Sequence, residues 1–401
     1  MADTPAVRLN FRYEADVPPP TNQITPGTDE RHAGVQSDFD ASRPQELLDR
    51  TIVSPDKQRV VAVYHRLTDV PAEYRLDMYS ADGQLLKKVT SDTMAVHFPD
   101  TIVWSPDSSN LAFVAMLRAI QPSPISPAGG TPTPSPGASP DESGGTDVNV
   151  EPTEPEPTES NPTPAPPTGI LTFRTEQIYI CDANGSDTKP LTLNEGLIYF
   201  YYAWSPDSKM LVALSATARE WRYLEVVSDS KGEVMIPQGR PRVIEKNGRE
   251  RRLDDNLTAV RPVWSPDSSK VAAAFGNQIR IYDAVGTNPT QAAIPLRNQL
   301  LISSQAYDRQ QQKTLQAAND GGDTTNAANV APSPDQDTST LPDEKLLVSY
   351  NPIVEIRWTA EDLLYLETAY LRRMKNEAES VRSFSRWHRL ILSAQAPAAN
   401  K

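Results

Sequence analysis

The sequence has very few of the residues that build metal and thiol sites. Its single cysteine, Cys181, can form no intrachain disulfide and no thiolate metal cluster. Because Cys181 lies in an apolar run, we expect it to be a buried thiol on a strand. The histidines lack the spacing of metal ligands and are expected to be structural: His32, His65, His97 and His388.

Catalytic and targeting motifs are absent as well. There is no Gly-x-Ser-x-Gly elbow, no Walker A loop and no dinucleotide glycine signature. No apolar run is long enough to predict a membrane span. The N-terminus lacks the basic and apolar regions of a signal peptide, which leaves either a cytoplasmic protein or one whose leader or anchor has been removed. We therefore expect no catalytic, cofactor-binding or metal-binding residues.

The net charge of −13 is concentrated in two low-complexity stretches. Residues 121–169 contain seven acidic and no basic side chains, and residues 303–344 contain seven acidic and two basic ones. The rest of the chain is nearly neutral and lacks the basic face that nucleic-acid binding requires. The first stretch also holds 14 of the 37 prolines, and the second is rich in Gln and Asn. Both are predicted to be disordered insertions, which are either tolerated surface loops or segments with a docking or spacer role.

What the sequence does contain is one motif, repeated. It occurs as Val-Trp-Ser-Pro-Asp at residues 103–107 and 263–267, and as Ala-Trp-Ser-Pro-Asp at 203–207. A weaker copy at 53–56 lacks the Trp, and one at 358–362 keeps the Trp and loses the Pro. An apolar, strand-like run follows every copy. When the low-complexity stretches are set aside, the copies define five units of about 50 residues.

Each motif is expected to be a structural corner. The Trp fills the wedge between neighbouring units, the Pro presets φ, and the Ser and Asp bond the backbone of their own turn. No catalytic role is expected for this Ser and Asp. The repeat residues are Trp104, Ser105, Pro106, Asp107, Trp204, Ser205, Pro206, Asp207, Trp264, Ser265, Pro266, Asp267 and Trp358.

Repeated four-strand meanders of this length predict an all-β fold, a β-propeller of about five four-stranded blades, or six if one has diverged too far to be seen. Trp-Ser-Pro-Asp, an apolar strand and then Ile-Tyr-x-x-Asp-x-x-Gly resembles the repeat of TolB-type propellers. The propeller domains of prolyl oligopeptidase-like and dipeptidyl peptidase-like proteins are similar too. The match extends to residues 178–182 and 279–283. The resemblance implies a fold rather than an activity, and the hydrolase domain of those peptidases does not follow the repeats in this sequence.

The predicted domain organisation has two parts. Residues 1–45 supply a strand at 6–13 and a loop, and residues 46–401 form the propeller, interrupted by 121–169 and 303–344. The fifth unit lacks a fourth strand, and the strand at 6–13 can supply it and remove an exposed sheet edge. Residues 363–376 are also compatible with a helix, which would weaken this mode of closure.

A basic hairpin at residues 240–252 is the one candidate contact site. We place it, like both insertions, in a connection on the face opposite the Ser-Pro-Asp turns. Its tip is either simply solvated or a contact for an acidic partner, including the chain's own acidic loops. The candidate residues are Arg240, Arg242, Arg249, Arg251 and Arg252.

The function that these features favour is a non-catalytic scaffold that binds a protein partner through the decorated face or the central channel. The alternatives are an enzyme acting on a glycan or peptide in the central funnel, and the sensor domain of a membrane-anchored protein. An enzyme needs convergent groups in the funnel. The predicted inner strands offer few: Asp49, Arg50, Arg261, Glu355 and Arg357. The resemblance favours an extracytoplasmic location, whereas the lack of a visible signal peptide leaves the cytoplasm open.

Overall fold

The structure, a computed structural model, describes residues 3–21, 31–69, 72–117, 176–319 and 341–394. The chain divides into two units, and all of these residues belong to the first, Met1–Arg118 with Phe173–Lys401. The second unit, Ala119–Thr172, lies outside the described residues, and the insertion predicted at 121–169 lies within it.

The chain begins with a strand and a helix. A 3-10 turn, Ala6–Arg8, leads into strand β1, Leu9–Glu14, and helix α1 spans Ala33–Ser42. The prediction of a loop across residues 15–45 is wrong at α1. Val35 and Phe39 lie one helical turn apart and are both buried, and this contact stabilises a helix whose sequence is otherwise polar.

Two antiparallel sheets follow α1. Sheet 1 consists of β2 Glu46–Val53, β3 Arg59–Arg66, β4 Arg75–Ser80 and β5 Leu85–Lys88, paired in that order. Sheet 2 consists of β6 Met94–Ala95, β7 Val103–Trp104, β8 Asn110–Leu117, β9 Gln177–Asp182 and β10 Lys189–Pro190. Strands β6 and β7 pair with opposite ends of β8, because a 3-10 turn at Pro99–Thr101 interrupts the first strand of this sheet.

Sheets 3 and 4 repeat the plan, with a helix inserted into sheet 3. Sheet 3 consists of β11 Leu197–Trp204, β12 Met210–Thr217, β13 Arg240–Glu245 and β14 Glu250–Arg252, and helix α2, Ala218–Lys231, lies between β12 and β13. Sheet 4 consists of β15 Val263–Trp264, β16 Lys270–Phe275, β17 Gln278–Asp283 and β18 Gln291–Pro295.

Sheet 5 contains both ends of the described chain. After helix α3, Arg297–Asn319, come β19 Ile353–Ala360, β20 Leu363–Arg372 and β21 Val381–Ala394. Strand β1 pairs with β21 along its whole length, so the N-terminal segment is the fourth strand of this sheet. Residues 363–376 form β20 and the start of the hairpin turn rather than a helix.

Apolar side chains of consecutive sheets interdigitate. Val63 and Met78 of sheet 1 pack with Phe113 of sheet 2, and similar clusters join sheets 2 and 3, 3 and 4, and 4 and 5. The other face of sheet 1 packs on α1, where Phe39 contacts Tyr64. Five antiparallel sheets packed in sequence order form an all-β propeller, in which the first strand of each sheet lies nearest the central channel.

Helix α2 lies where the repeat plan places the third strand of unit three, followed by a turn at residues 228–232, and helix α3 lies where the sequence predicts an insertion. Residues 218–231 form α2 because Thr217 and Glu220 make a reciprocal capping box and Gly232, at φ 66°, ends the helix. The disordered insertion predicted at 303–344 is wrong over 303–319, which belong to α3. The first turns of α3 bury Leu300 and Leu301, and residues 320–340 lie outside the described residues.

Candidate functional site

Three repeat tryptophans tie one sheet to the next. Each is more than nine-tenths buried, and its indole N–H donates to a main-chain carbonyl on the first strand of the preceding sheet. The pairs are Trp104 with Ile52 at 3.3 Å, Trp204 with Val103 at 3.2 Å, and Trp264 with Ala203 at 3.0 Å. Trp358 differs, because it is partly exposed and donates to Glu361 in its own turn at 3.4 Å.

The repeat Ser and Asp residues are engaged in their own turns. Ser105 Oγ donates to Asp107 Oδ1 at 2.6 Å and accepts from the main-chain N–H of Asn110. Burial raises the pKa of Asp107, but hydrogen bonds from Ser105 and Ser109 outweigh it and lower that pKa to about 2. Ser205 with Asp207 and Ser265 with Asp267 repeat the bond at 2.7 and 2.6 Å. These pairs build the turn and leave no free nucleophile or base.

A second set of serines, which the sequence reasoning missed, links each turn to the next. The main-chain N–H of the motif Asp donates to the Oγ of a buried Ser three positions after the motif Ser of the following sheet. The bonds run from Asp56 to Ser108, from Asp107 to Ser208, and from Asp207 to Ser268, at 3.0–3.1 Å. The signal was the Ser that follows Ser-Pro-Asp in three copies, where the first copy has Lys57.

The connections between strands divide the protein into two faces. We call the face with the Ser-Pro-Asp turns the turn face. The opposite face carries α2, α3 and the tip of the β20–β21 hairpin, and we call it the helical face. Because antiparallel strands alternate in direction, the β13–β14 turn lies on the turn face. The basic hairpin 240–252 was therefore placed on the wrong face, since α2, and not this hairpin, is the extra element of sheet 3.

The candidate arginines of this hairpin do not form one patch. Two are committed to internal ion pairs: Arg240 bonds both carboxylate oxygens of Glu220 at 2.7 and 2.8 Å, and Arg242 bonds Glu250 at 2.7 Å. Arg252 pairs with Asp255 at 2.8 Å. Only Arg249 and Arg251 line a cavity on the turn face.

Charged side chains on the first strands pair with one another rather than converge. Arg50 bonds Asp100 at 3.0 Å, and Asp49 bonds Nδ1 of His65 at 2.8 Å. Arg357 pairs with Glu355 two residues away, and the Arg261 guanidinium lies 5.0 Å from the ring centre of Tyr201. The groups that the sequence offered for funnel chemistry are thus engaged in a hydrogen bond to His65, in ion pairs and in a cation–π contact.

Helix α2 crosses the helical face from sheet 3 toward sheet 5. Near its start, Trp221 contacts Phe98 of sheet 2 and Phe200 of sheet 3, with ring centres 5.9 and 5.4 Å apart. At its end, Lys375 in the β20–β21 turn donates its main-chain N–H to Gly232 O at 3.0 Å, and its ammonium pairs with Asp229 at 2.8 Å. The helix is therefore anchored to three sheets.

Several large apolar side chains on these anchored elements are exposed. On α2, Tyr223 is 67% and Val226 is 53% exposed, and none of the residues of α2 is buried. Val234 lies just beyond α2, and Tyr370 and Phe384 lie on the β20–β21 hairpin. Apolar groups held in solvent by rigid elements are typical of interaction surfaces.

In the part of the chain that the structure describes, no group of three or more His, Cys, Asp or Glu side chains is arranged to hold a metal ion. Among the described helices, none has both the length and the apolar character of a membrane-crossing segment. Cys181 is buried between strands, and burial raises the pKa of its thiol to about 12.

Comparisons with known proteins find similar architectures at low similarity. A scan of protein-family models and a search of curated proteins each give no match. An oligogalacturonate lyase in complex with manganese is 10% identical with a TM-score of 0.36, over 86% of this chain and 65% of the lyase. Prolyl oligopeptidase B from Galerina marginata is 9% identical with a TM-score of 0.39, over 86% of this chain and 36% of that one. A protein described as TolB from Agrobacterium tumefaciens is 12% identical with a TM-score of 0.27, over 63% of this chain and 69% of that one.

The solved structures include a TolB and a prolyl oligopeptidase, the two kinds of protein that the repeat motif resembles. This chain spans less than two thirds of the lyase and about a third of the peptidase. At these scores the propeller assignment rests on the sheets themselves. The neighbours include both enzymes and a TolB, and so they leave the function to be argued from the site.

Proposed function

We propose that this protein is a non-catalytic, five-bladed propeller scaffold that binds a protein partner through its helical face. The observation that supports the proposal most directly is how α2 is capped and held in the fold. The helix is capped at both ends and anchored to three sheets, and it keeps Tyr223 and Val226 in solvent. Helices of globular proteins gain most of their stability from a buried apolar face, and in α2 the other large apolar side chains, Trp221, Leu224 and Val227, are only half-buried. An exposed helix held in place in this way fits a binding element.

The exposed apolar residues of α2 face the same way. Tyr223 and Val226 are three positions apart and therefore lie on one side of the helix. Tyr residues are enriched at protein interfaces because they bury a large ring and keep a hydrogen-bonding hydroxyl. Arg219 is exposed on the same helix, and Arg222 pairs with Glu225 at 3.0 Å, so this surface offers a partner both apolar and charged groups.

A binding role also fits the charge arrangement near the channel better than catalysis does. A hydrolytic funnel needs carboxylates free to act as acid and base. Here Asp49 is bonded to His65, Asp100 to Arg50, and Glu355 to Arg357.

The test is a comparison of three immobilised proteins in extracts of the source cells. Tyr223→Ala/Val226→Ala removes apolar area but keeps a helix-favouring residue at both positions. Leu85→Ala/Leu86→Ala, on the exposed outer strand of sheet 1, is the matched control. We expect at least one protein to be retained by the unmodified chain and the control and lost by the α2 variant. If every retained protein binds all three forms equally, the helical face is not the binding surface.

A further inference from the structure

A cavity of about 650 Å³ opens on the turn face between sheets 3 and 4. It is bounded by the Ser-Pro-Asp turn of sheet 3, the β13–β14 turn, and the β17–β18 turn of sheet 4. We call it the basic cleft. Its lining includes four cationic side chains, Lys209, Lys246, Arg249 and Arg251, and two carboxylates, Asp207 and Glu245, which gives a net charge of +2.

The cations of the basic cleft are incompletely neutralised. Lys246 lies over the ring of Trp204 at 5.5 Å, and its ammonium is 3.4 Å from Ser109 Oγ. Half-buried Arg251 donates only to main-chain carbonyls, those of Asp283 at 2.6 Å and Ala284 at 3.1 Å. Within the described ranges, no carboxylate oxygen lies within 4 Å of either cation, and the carboxylates that act on them, Asp107 on Lys246 and Asp283 and Glu245 on Arg251, do so from farther away.

The remaining two cations hold their carboxylates weakly. Arg249 is 79% exposed and lies 3.8 Å from Glu245, at the limit of an ion pair. Lys209 is 78% exposed and 3.3 Å from Asp207. Exposed pairs of this kind contribute about 0–1 kcal/mol each and exchange easily for another anion.

The cavity between sheets 1 and 2, about 580 Å³, has the same charge count, with Arg66, Arg75, Lys87 and Lys88 against Asp92 and Asp187. The two cavities differ in how they hold their guanidinium groups. Arg66 and Arg75 both bond Asp92, and both oxygens of Asp69 bond Arg75 at 2.8 and 2.9 Å. In the basic cleft, by contrast, the half-buried Arg251 bonds main-chain carbonyls and forms no ion pair with any described residue.

The basic cleft also offers apolar surface. Pro289 and Val285 are exposed at its rim, Val285 to 51%, and the floor is formed by Met210 and Val243, which are more than nine-tenths buried. A site with an apolar rim, and with two cations that form no direct ion pair with the described residues, suits a chain that presents carboxylates next to an apolar side chain. Nucleic acid favours a wider basic face, and the whole protein carries a net charge of −13.

We infer that the basic cleft is a second binding site, which takes an acidic segment of a partner protein with an apolar side chain among its carboxylates. The carboxylates bond Lys246, Arg249 and Arg251, and the apolar side chain packs against Val285 and Pro289. This site lies on the face opposite the binding surface of α2, so a propeller with both sites joins two partners.

The experiment measures fluorescence anisotropy of a labelled dodecapeptide of Asp, Glu and Ser with one central Leu. Lys246→Glu/Arg249→Glu reverses two cleft charges at an exposed turn, and Lys246→Gln/Arg249→Gln removes them without adding anions. Arg252→Glu is the matched control, because Arg252 lies on the same hairpin outside the cleft and pairs with Asp255. Thermal melts check that every variant is folded.

We expect the peptide to bind, and the double reversal to weaken binding by at least about tenfold at low salt. Arg252→Glu is expected to change it less than about twofold, and replacing the central Leu with Ser to weaken it by several-fold. Equal weakening by Arg252→Glu would mean general charge attraction and would overturn the site. Tighter binding of a thymidine dodecamer than of the peptide would also overturn it, as would no binding at millimolar peptide.

Discussion

The indole N–H of Trp204 donates to the carbonyl oxygen of Val103 across the boundary between sheets 2 and 3. The same bond recurs at two other boundaries, and serine–backbone bonds between the Ser-Pro-Asp turns accompany it. Sheets 1 to 4 are thus joined by the same two kinds of hydrogen bond at each boundary. Sheet 5 is joined differently, through its apolar cluster with sheet 4 and through the pairing of β1 with β21.

The hydrogen bonds of the tryptophan side chains predict that substitutions at different repeats destabilise the protein to different extents. Trp204→Phe removes the N–H donor and leaves the Val103 carbonyl without this partner, so we expect a loss of about 1–2 kcal/mol in the free energy of unfolding. Trp358→Phe is the control, because that indole donates within its own turn at 3.4 Å and is partly exposed. Urea denaturation measures both. Equal losses at the two positions would contradict a role for the bond between sheets.

Replacing Arg43, at the contact of α1 with sheet 1, is expected to cause a large loss of stability. Its guanidinium lies over the rings of Phe39, Tyr64 and Tyr79 and bonds Asp77 at 2.7 Å. Asp77 is fully buried, and burial raises its pKa even though the bond to Arg43 lowers it.

Arg43→Ala leaves that carboxylate buried without its main partner, so we expect a cost of about 3–5 kcal/mol. Arg43→Lys keeps the charge and is expected to cost less. Thermal or urea unfolding measures both variants, and a loss below about 1 kcal/mol for Arg43→Ala would contradict the account.

His388 is expected to make the folded protein less stable at acidic pH. It is fully buried, bonded to Tyr13 at 2.8 Å and to Thr368 at 3.0 Å, and burial lowers its pKa to about 4. Asp16 and Arg386 are the charged groups beside it. The unfolded chain binds a proton near pH 6.5 and the folded protein does not. Stability from this group is therefore complete above pH 6.5 and is lost as the pH falls from 6.5 toward 4.

The loss from His388 between pH 7.5 and pH 5 is expected to be about 2 kcal/mol. Urea unfolding at the two pH values measures it. In His388→Gln, whose side chain does not titrate, the pH-dependent loss should shrink by about that amount. An unchanged pH dependence in the variant would show that His388 is not the responsible group.

The capping box of α2 predicts a local effect. Thr217→Ala removes the hydroxyl that accepts the main-chain N–H of Glu220, and a lost cap costs about 1 kcal/mol of helix stability. Because no residue of α2 is fully buried, we expect faster amide hydrogen exchange across 218–231 and little change in global unfolding. Ser230→Ala, at the other end of the helix, is the control. Unchanged exchange in Thr217→Ala would contradict the role assigned to the cap.

The repeats predicted the sheets well because their signal is local and recurs. Trp, Ser, Pro and Asp at fixed offsets lie at equivalent corners, and the structure puts Trp104, Trp204 and Trp264 between sheets as expected. The serine bonds between turns escaped notice because their acceptor lies a whole unit away in sequence.

Helix α2 was mistaken for a strand because Leu224, Val226 and Val227 precede a turn-like Ser-Asp-Ser-Lys-Gly. The capping pair Thr217 and Glu220 was the helix signal. Because α2 was counted as the third strand of its unit, the basic hairpin was predicted to lie between two units and therefore on the wrong face. The sequence could not predict the ion-pair partners of its arginines, because the contact of Arg240 with Glu220 depends on where α2 lies in the fold.

The central claim, a partner bound on the helical face, is tested most directly by site-specific photo-crosslinking in the source cells. A photoreactive phenylalanine derivative replaces Tyr223, Tyr370 or, as a control, Leu86. The account predicts that positions 223 and 370 crosslink to the same protein and that position 86 does not. Crosslinks to that protein from position 86 alone, or none from 223 and 370, would contradict it.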